Sequence, residues 1–589
     1  MQIMNFSSAN CKNCYKCIRT CVVKAIEVKN DQAQIIEDRC LACGQCLVVC
    51  PQNARNILSH VDEVQAKIQS GAKVIATLAP AYRGFFEESD KMVAGLRKLG
   101  FSGVQETSIG AEMVSREYEK LIKTSETRAL ITSCCPSIMV MVERYYPELI
   151  PNILPVVSPM IAHGKIIKSQ FPDAYVVFIG PCFSKSYESM AEENKGIVDA
   201  VLTFDEMDQW FAGEGIVLPS LEDSRPDQEG TLRGNKYPLV GGIINGIRPV
   251  LDQKGLDVIR VHTVGNCKVI LEEMKNGTLH NVCVELSACN ESCLGGPGAI
   301  GNSGNPYLRL QALQRYVNKS NAQNQLQDGR QNRPRGLRTD TVSYPETQEF
   351  PEIDLKREFK NKQVKEDLPA EQEMNRILRK MGKYDPSDEL NCSACGYNTC
   401  KDKAIAVFQS MSQVEMCLPH MRNKAERMSN KIFSHSPNAI LVVDSGLNIE
   451  EINPTGQKIF GVRNKEIAGK QLSQLMEDAD FKEAMDNKQS SFKTKVSYPK
   501  YNYIAYRNIV YLEKQNTLLI ILIGITEEEK RKEKFTALKK DMIDVTQEII
   551  DKHMRTVQEI ASLLGETTGE TKVAFTKLKK VLEEEGDAE

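Results

Sequence analysis

Eight of the first fifty residues are cysteines, laid out as two copies of one spacing. Cys11, Cys14, Cys17 and Cys21 are separated by two, two and three residues, and Cys40, Cys43, Cys46 and Cys50 repeat those gaps before Pro51. A segment of about sixty residues can bury only a small apolar core, so its fold has to be organised around whatever those thiols bind. The choice between disulfides and metal depends on compartment. Met1 to Asn10 lacks the basic start and apolar run of a signal peptide, and the longest apolar run, Leu518 to Ile525, is too short to span a bilayer. The sequence therefore predicts a cytoplasmic chain with no membrane segment, in which 19 cysteines serve metal rather than disulfides. A net charge of −3 with 26% charged residues gives no electrostatic case for nucleic acid. At 589 residues several domains are expected.

The duplicated run resembles bacterial two-cluster ferredoxins, which sets residues 1–60 as a 4Fe-4S domain. In that pattern three closely spaced thiolates cap one cube and the fourth of each run crosses to the other. The resemblance implies Cys11, Cys14, Cys17 and Cys50 on one cluster, and Cys40, Cys43, Cys46 and Cys21 on the second. Val22 stands where the first run would have its proline. Zinc is the alternative metal, but it favours paired knuckles over two four-cysteine runs.

Residues 61–320 read as α/β. The β-rich runs Val74 to Leu78, Ala129 to Thr132 and Tyr175 to Ile179 alternate with helical stretches, and the last two run directly into cysteine motifs. Ligands at strand ends are where α/β folds gather them. The motifs are Thr132-Ser133-Cys134-Cys135-Pro136, then Pro181-Cys182-Phe183-Ser184-Lys185, and Glu285-Leu286-Ser287-Ala288-Cys289 through Cys293-Leu294-Gly295-Gly296. Together they resemble the three cluster-binding motifs of FeFe hydrogenases. That resemblance implies an H-cluster, a 4Fe-4S cube joined to a diiron unit with CO, CN and a bridging dithiolate. Cys135, Cys182, Cys289 and Cys293 would be its ligands, with Cys293 bridging. Lys185 would donate to a cyanide and Glu188 would orient Lys185. Cys134 and Glu117 would carry protons. Cys267 and Cys283 are left without a ligand role.

Departures from the family sit around these matches. Leu154 and Lys120 occupy relay positions, and a leucine cannot pass a proton. Gly180 and Ser287 replace two methionines, which predicts a larger and wetter pocket around a cofactor that Ser287 would touch. Lys236 to Ile247 matches a glycine-rich turn whose default role is structural.

Residues 321–370 are expected to be a linker, rich in polar residues and poor in large apolar ones. Residues 371–428 carry Cys392, Cys395, Cys400 and Cys417, with Asn391 to Cys400 reading as helical. This resembles the small 4Fe-4S domain of corrinoid and Rnf-type electron-transfer subunits, a third ordinary cluster, with zinc again the alternative. Residues 429–527 resemble a PAS domain in their order of elements, with two late β-rich runs ending at Ile525. Residues 528–589 show a helical seam, Phe535, Leu538, Met542, Val545 and Ile549, which slips by one to Ile550, Met554, Val557, Ala561 and Leu564. His553 reads as a solvated helix residue.

The predicted fold class is thus multidomain, α/β and α+β: a two-cluster ferredoxin domain, an α/β hydrogenase domain, a small 4Fe-4S domain, a PAS domain and a helical coil. The arrangement resembles sensory FeFe hydrogenases. It implies slow reversible splitting of dihydrogen into protons and electrons, read out through PAS by a separate kinase, phosphatase or regulator. A redox partner such as ferredoxin, hydrogenase maturation factors and a homodimer through the coil are also implied. The alternatives are a metabolic ferredoxin-linked hydrogenase and a non-catalytic iron-sulfur scaffold.

Overall fold

The computed structural model describes residues 4–6, 10–54, 56–86, 88–299, 305–327, 351–477, 479–513, 515–564 and 569–584. Two units separate, Met1–His420 and Met421–Glu589.

In the first unit the duplicated cysteine boxes are held by a hairpin, Ile26–Lys29 against Gln32–Ile35, and by two one-turn helices, Lys16–Thr20 and Gln45–Val48. The helix entries at Tyr15 and Gly44 are both left-handed, with φ of 57° and 71°. Gly44 is the compatible residue there, since an added Cβ would lie 2.7 Å from the Pro297 ring.

The α/β domain contains two parallel sheets. One orders Gly103–Glu106, Val74–Leu78, Tyr175–Gly180 and Ala200–Thr203; the other orders Asp257–His262, Val282–Ser287 and Ala129–Thr132. The inner strands Val74–Leu78, Tyr175–Gly180 and Val282–Ser287 are buried along nearly their whole length, as in a parallel sheet covered on both faces, while the edge strand Asp257–His262 is partly exposed. Helix Ser108–Thr124 packs on Pro159–Gln170 so closely that a Cβ on Gly110 would stand 2.2 Å from the Pro159 carbonyl oxygen. Three of the strands end directly in cysteine motifs: Thr132 before Cys134 and Cys135, Gly180 before Cys182, and Ser287 before Cys289.

The expected linker is different in the structure. Helix Pro306–Gln327 runs into its first residues, and residues 328–350 lie outside the described ones. Residues 351–370 form an extended strap laid on the α/β domain. The Leu355 carbonyl accepts from Val157 N at 2.9 Å, Arg357 N donates to Pro155 O at 3.0 Å, and Lys362 and Val364 donate to the Glu143 and Arg144 carbonyls. Leu355 is buried in the domain core, and Phe359 packs on a second core cluster. A composition rule weighs the many polar residues and misses two well-placed apolar anchors.

Beyond the strap, helix Glu371–Lys380 packs on helix Cys400–Phe408. The expected helix over 391–400 begins only at Cys400. Thr399 and Asp402 cap one another's backbone there, while Asn391 and Ser393 take φ of 46° and 55°. Thr399 and Asp402 form a capping box that marks this start in the sequence.

The second unit contains a five-stranded antiparallel sheet in the order Ile449–Ile452, Ala439–Val443, Thr517–Gly524, Tyr503–Leu512 and Ser491–Tyr498. Three late strands stand where the sequence suggested two. Ser491–Tyr498 is largely exposed on both faces, so it carries no apolar alternation to read. Asn453 is fully buried and caps the following helix by accepting from Gly456 N, also accepting from Ile440 N. The tail is one helix, Thr526–Leu564, then Gly569–Glu584. His553 is exposed on it. Among the described residues no helix is long and apolar enough to cross a membrane.

Candidate functional site

The C-terminal ends of the two parallel sheets face a cavity enclosing about 740 Å³ of empty space, its mouth included. Cys135, Cys182, Cys289 and Cys293 all line it, with Cys134, Lys185 and Ser287. The rest of the wall is mostly apolar, including Ala79, Pro159, Met160, Phe178 and Pro238. The pocket is therefore not opened by Gly180. A Cβ at that position would lie 2.8 Å from the Phe178 ring and 2.9 Å from the Ala79 Cβ, so neighbouring groups already occupy the space expected to be empty.

Lys185 is nearly buried on a short helix, Ser184–Ser189. Its Nζ donates to the Glu188 carboxylate at 2.8 Å and to the Cys134 carbonyl at 3.2 Å. Burial works against the ammonium, but Glu188 together with the Cys134 and Cys182 sulfurs outweighs it and holds the lysine above its ordinary value. An ammonium has three donors, so one is left for the cavity. Glu188 also accepts from Ser158 Oγ at 2.9 Å and pairs with Arg357 of the strap at 3.4 Å. Cys134 shares a hydrogen bond with Cys293, and that bond together with burial keeps it a thiol.

Two of the expected relay positions lie outside the cavity wall. The Glu117 carboxylate meets Lys120 at 3.2 Å on an outer face, with about a third of its side chain exposed, and it is not part of the cavity wall. Leu154 is buried in an apolar cluster with Val157 and Met160. Cys267 and Cys283 are fully buried structural thiols.

One buried acid was missed. Glu285, on strand Val282–Ser287, accepts from Gly241 N at 2.9 Å and Ile244 N at 2.8 Å. The glycine-rich turn Lys236 to Ile247 is thereby clamped to the cysteine-bearing strand. The turn was singled out in the sequence, but its partner lies some forty residues downstream and only the fold brings them together.

The cysteines expected to hold the ordinary clusters also come together. Cys11, Cys14, Cys17 and Cys50 line one cavity of about 380 Å³ of empty space. Cys21, Cys40, Cys43 and Cys46 lie close enough to act on one another's ionisation. Cys392, Cys395, Cys400 and Cys417 line a third, with Lys403 and Tyr397. Among the described residues no three metal-binding side chains converge as a single ion requires. Sulfurs spread over the wall of a cavity suit a multinuclear cube better than one zinc with all four sulfurs at about 2.3 Å. Burial pushes the Cys17 and Cys43 thiols up to about 12 and Cys40 to about 11, so bare thiolates are disfavoured and binding must expel protons as a cation takes their place. Backbone amides already point at the sulfurs: Ala25 N to Cys21 Sγ and Ala42 N to Cys40 Sγ at 3.3 Å, and Ala54 N to Cys50 Sγ at 3.4 Å. Such bonds set cluster potentials. Gln45, next to Cys46, reaches Cys289 Sγ at 3.9 Å, so the second box abuts the main cavity.

Cysteine-lined cavities in series, one of them with a buried ammonium at the strand ends of an α/β domain, are built to hold iron-sulfur clusters. Parts of the chain are similar to the iron-only hydrogenases, to other iron-sulfur domains and to the PAS fold. Residues 72–297 match the family described as iron only hydrogenase large subunit, C-terminal domain; residues 33–56 match a 4Fe-4S binding domain, 388–419 an Fe-S cluster family and 427–517 the PAS fold. The chain is 26% identical over 309 residues to iron hydrogenase 1 of Clostridium pasteurianum, covering 42% of this chain and 54% of that one. It is 28% identical over 359 residues to the periplasmic Fe hydrogenase large subunit of Nitratidesulfovibrio vulgaris, 45% of this chain and 85% of that one. It is also 29% identical over 208 residues to the cytosolic Fe-S cluster assembly factor NAR1 of Scheffersomyces stipitis, 30% and 38% of the two chains. The match thus spans about half the length of the clostridial relative.

Proposed function

We propose that this chain is an FeFe hydrogenase that interconverts dihydrogen with protons and electrons slowly, as a hydrogen or redox sensor. It reports through its PAS domain and terminal helices to a separate output protein. The observation that carries the reading is the grouping of Cys134 and Lys185 with the four ligand cysteines around one apolar cavity.

Cys135, Cys182, Cys289 and Cys293 would hold the H-cluster, whose diiron unit supplies the dihydrogen chemistry. Lys185, fixed by Glu188, presents its remaining N–H to the cavity, where a charge-assisted bond to an anionic ligand is strongest. Phe178, Pro159 and Met160 give the cavity an apolar wall. Cys134 holds a proton beside Cys293. Past Cys134 the expected route stops, since Leu154 has no proton to exchange and Glu117 faces outward. A slow proton exit suits a sensor better than a metabolic enzyme. The cysteines of the two boxes and of residues 392–417 would hold the ordinary clusters, which would supply electron exchange with a partner such as ferredoxin, and the tail would pair two chains. Maturation factors would install the diiron unit.

The test is to supply the diiron unit to cube-loaded protein and follow hydrogen oxidation alongside carbonyl and cyanide infrared bands. Bands with turnover far below hundreds per second are expected. Rapid turnover would point to the metabolic reading. Absence of the bands, with iron matching only the ordinary clusters, would favour a scaffold, a reading to which the NAR1 resemblance lends weight.

A further inference from the structure

The strap brings a residue to the carboxylate that holds Lys185, one that no cysteine motif announces. Arg357 lies on residues 351–370, about 170 positions from the motif it meets. Its Nη1 is 3.4 Å from Glu188 Oε1, with 11% of its side chain exposed against 1% for the glutamate. The other oxygen of the same carboxylate, Oε2, takes Lys185 at 2.8 Å and Ser158 at 2.9 Å. A single buried carboxylate is thus shared between two cations, one facing the cavity and one arriving from the strap.

The backbone fixes Arg357 in place. Its amide donates to Pro155 O at 3.0 Å, the flanking Leu355 is buried in the domain core, and the guanidinium lies 4.7 Å from the Phe359 ring centre. Arg357 Nε is buried without a hydrogen-bond partner, a cost expected only where the rest of the side chain is needed at that position. The strap is held at its far end too, where Glu366 pairs with Arg39 at 2.9 Å beside Cys40.

We infer that Arg357 is a positioning residue for Lys185, acting through Glu188. With the guanidinium present, Glu188 is satisfied on both oxygens, and Lys185 need not surrender all its donors to it. Without it, one positive charge behind the cavity wall is lost and the full carboxylate charge falls on Lys185, drawing the ammonium away from the cavity. The inference rests on the cluster-binding reading of Cys135, Cys182, Cys289 and Cys293.

The test uses the full chain carrying its cubes but no diiron unit, so it stands whether or not the hydrogenase reading does. Arg357→Gln and Arg357→Lys are compared with the parent by redox titration of the cube held at the main site, followed by its paramagnetic signal. Arg357→Gln is expected to lower the reduced fraction of that cube at least threefold at fixed potential, leaving the cube of Cys11, Cys14, Cys17 and Cys50 unmoved. Arg357→Lys should restore most of the difference. In protein that accepts the diiron unit, Arg357→Gln should also shift the cyanide bands. An unchanged titration in Arg357→Gln overturns the inference, and so does an Arg357→Lys variant as altered as Arg357→Gln, because the arginine would then act by packing alone. Arg357→Ala replaces Arg357→Gln in the same comparison should the latter not accumulate. A parent protein without cyanide bands but with a shifted titration would remove the hydrogenase reading and leave the positioning role standing.

Discussion

Lys24 donates to the Gly396 carbonyl at 2.7 Å, tying the loop after the first cysteine box to the Cys395 turn of the third cluster site. The same ammonium reaches Ile18 O at 3.1 Å. Gly396 adopts φ of +97°, and a Cβ there would stand 2.7 Å from Ile18 Cγ2, so it is closely fitted to the first box. Two anionic cluster sites thereby share one cation. Lys24→Met should leave the Gly396 carbonyl short of a donor and cost about 1.5–3 kcal/mol. Denaturant unfolding checks the loss. Magnetic coupling between the cubes in the reduced protein should also weaken, and coupling equal to that of the parent would show that Lys24 does not set their approach.

Glu285 gives a pH prediction. Burial pushes its carboxyl up to about 7 from 4.5, although the Ile244 and Gly241 amides pull it down. The folded state therefore holds this proton more tightly than the unfolded state. Its contribution is fully present below about pH 4.5 and is lost as pH rises through about 7. Glu285→Gln removes the titration and sets its amide N–H₂ against one backbone donor, at a cost of about 1–3 kcal/mol. The expected outcome is a less stable protein whose denaturation midpoint falls less than the parent's across that pH window. A parent midpoint falling no more steeply than the variant's would assign the titration elsewhere.

Leu154→Ser tests whether one hydroxyl reopens the proton route. The side chain sits in an apolar cluster and the Glu117 carboxylate is engaged with Lys120 outside the cavity. The expected result is a loss of about 2–5 kcal/mol with no more than a twofold gain in hydrogen–deuterium exchange activity. A large gain would mean that ordered water already completes the path.

Phe178 fills the space beside Gly180, so Phe178→Ala is the substitution that opens the pocket. It should cost about 3–5 kcal/mol and hasten loss of cluster absorbance in air. Equal rates of loss in parent and variant would mean that oxygen enters by another wall.

The cysteine-bearing elements were legible because their spacing is local: both boxes and the strands before the main-site motifs follow from short windows of sequence, and the family resemblance of those motifs implied that Cys134, Lys185 and Ser287 share one pocket. What stayed hidden depends on tertiary approach. Arg357 meets Glu188 only through a strap that looks polar, Glu285 meets a turn some forty residues away, and Phe178 swings into the space Gly180 leaves. That the Glu117 carboxylate pairs with Lys120 outside the cavity wall depends on how helix Ser108–Thr124 is turned, an angle that motif spacing does not encode. Ser491–Tyr498 was missed because an exposed edge strand has no buried face to impose a period of two.

The tail supplies the last prediction. Helix Thr526–Leu564 exposes Phe535, Leu538, Met542, Val545 and Ile549 by 67%, 61%, 64%, 54% and 52%, a stripe at alternating spacings of three and four. A single helix of this length gains little from propensity alone, and an apolar stripe at that spacing is stabilised by a second helix laid along it. The second copy of the chain is the partner such a stripe fits, because the same face on both copies is self-complementary about a two-fold axis. The full-length protein should therefore scatter light as a dimer. Phe535→Glu with Leu538→Lys should convert it to a monomer while leaving the cluster absorbance unchanged, since those residues belong to the unit that holds no cluster cysteines. Scattering at the dimer mass in the double variant would move the interface off this face of the helix.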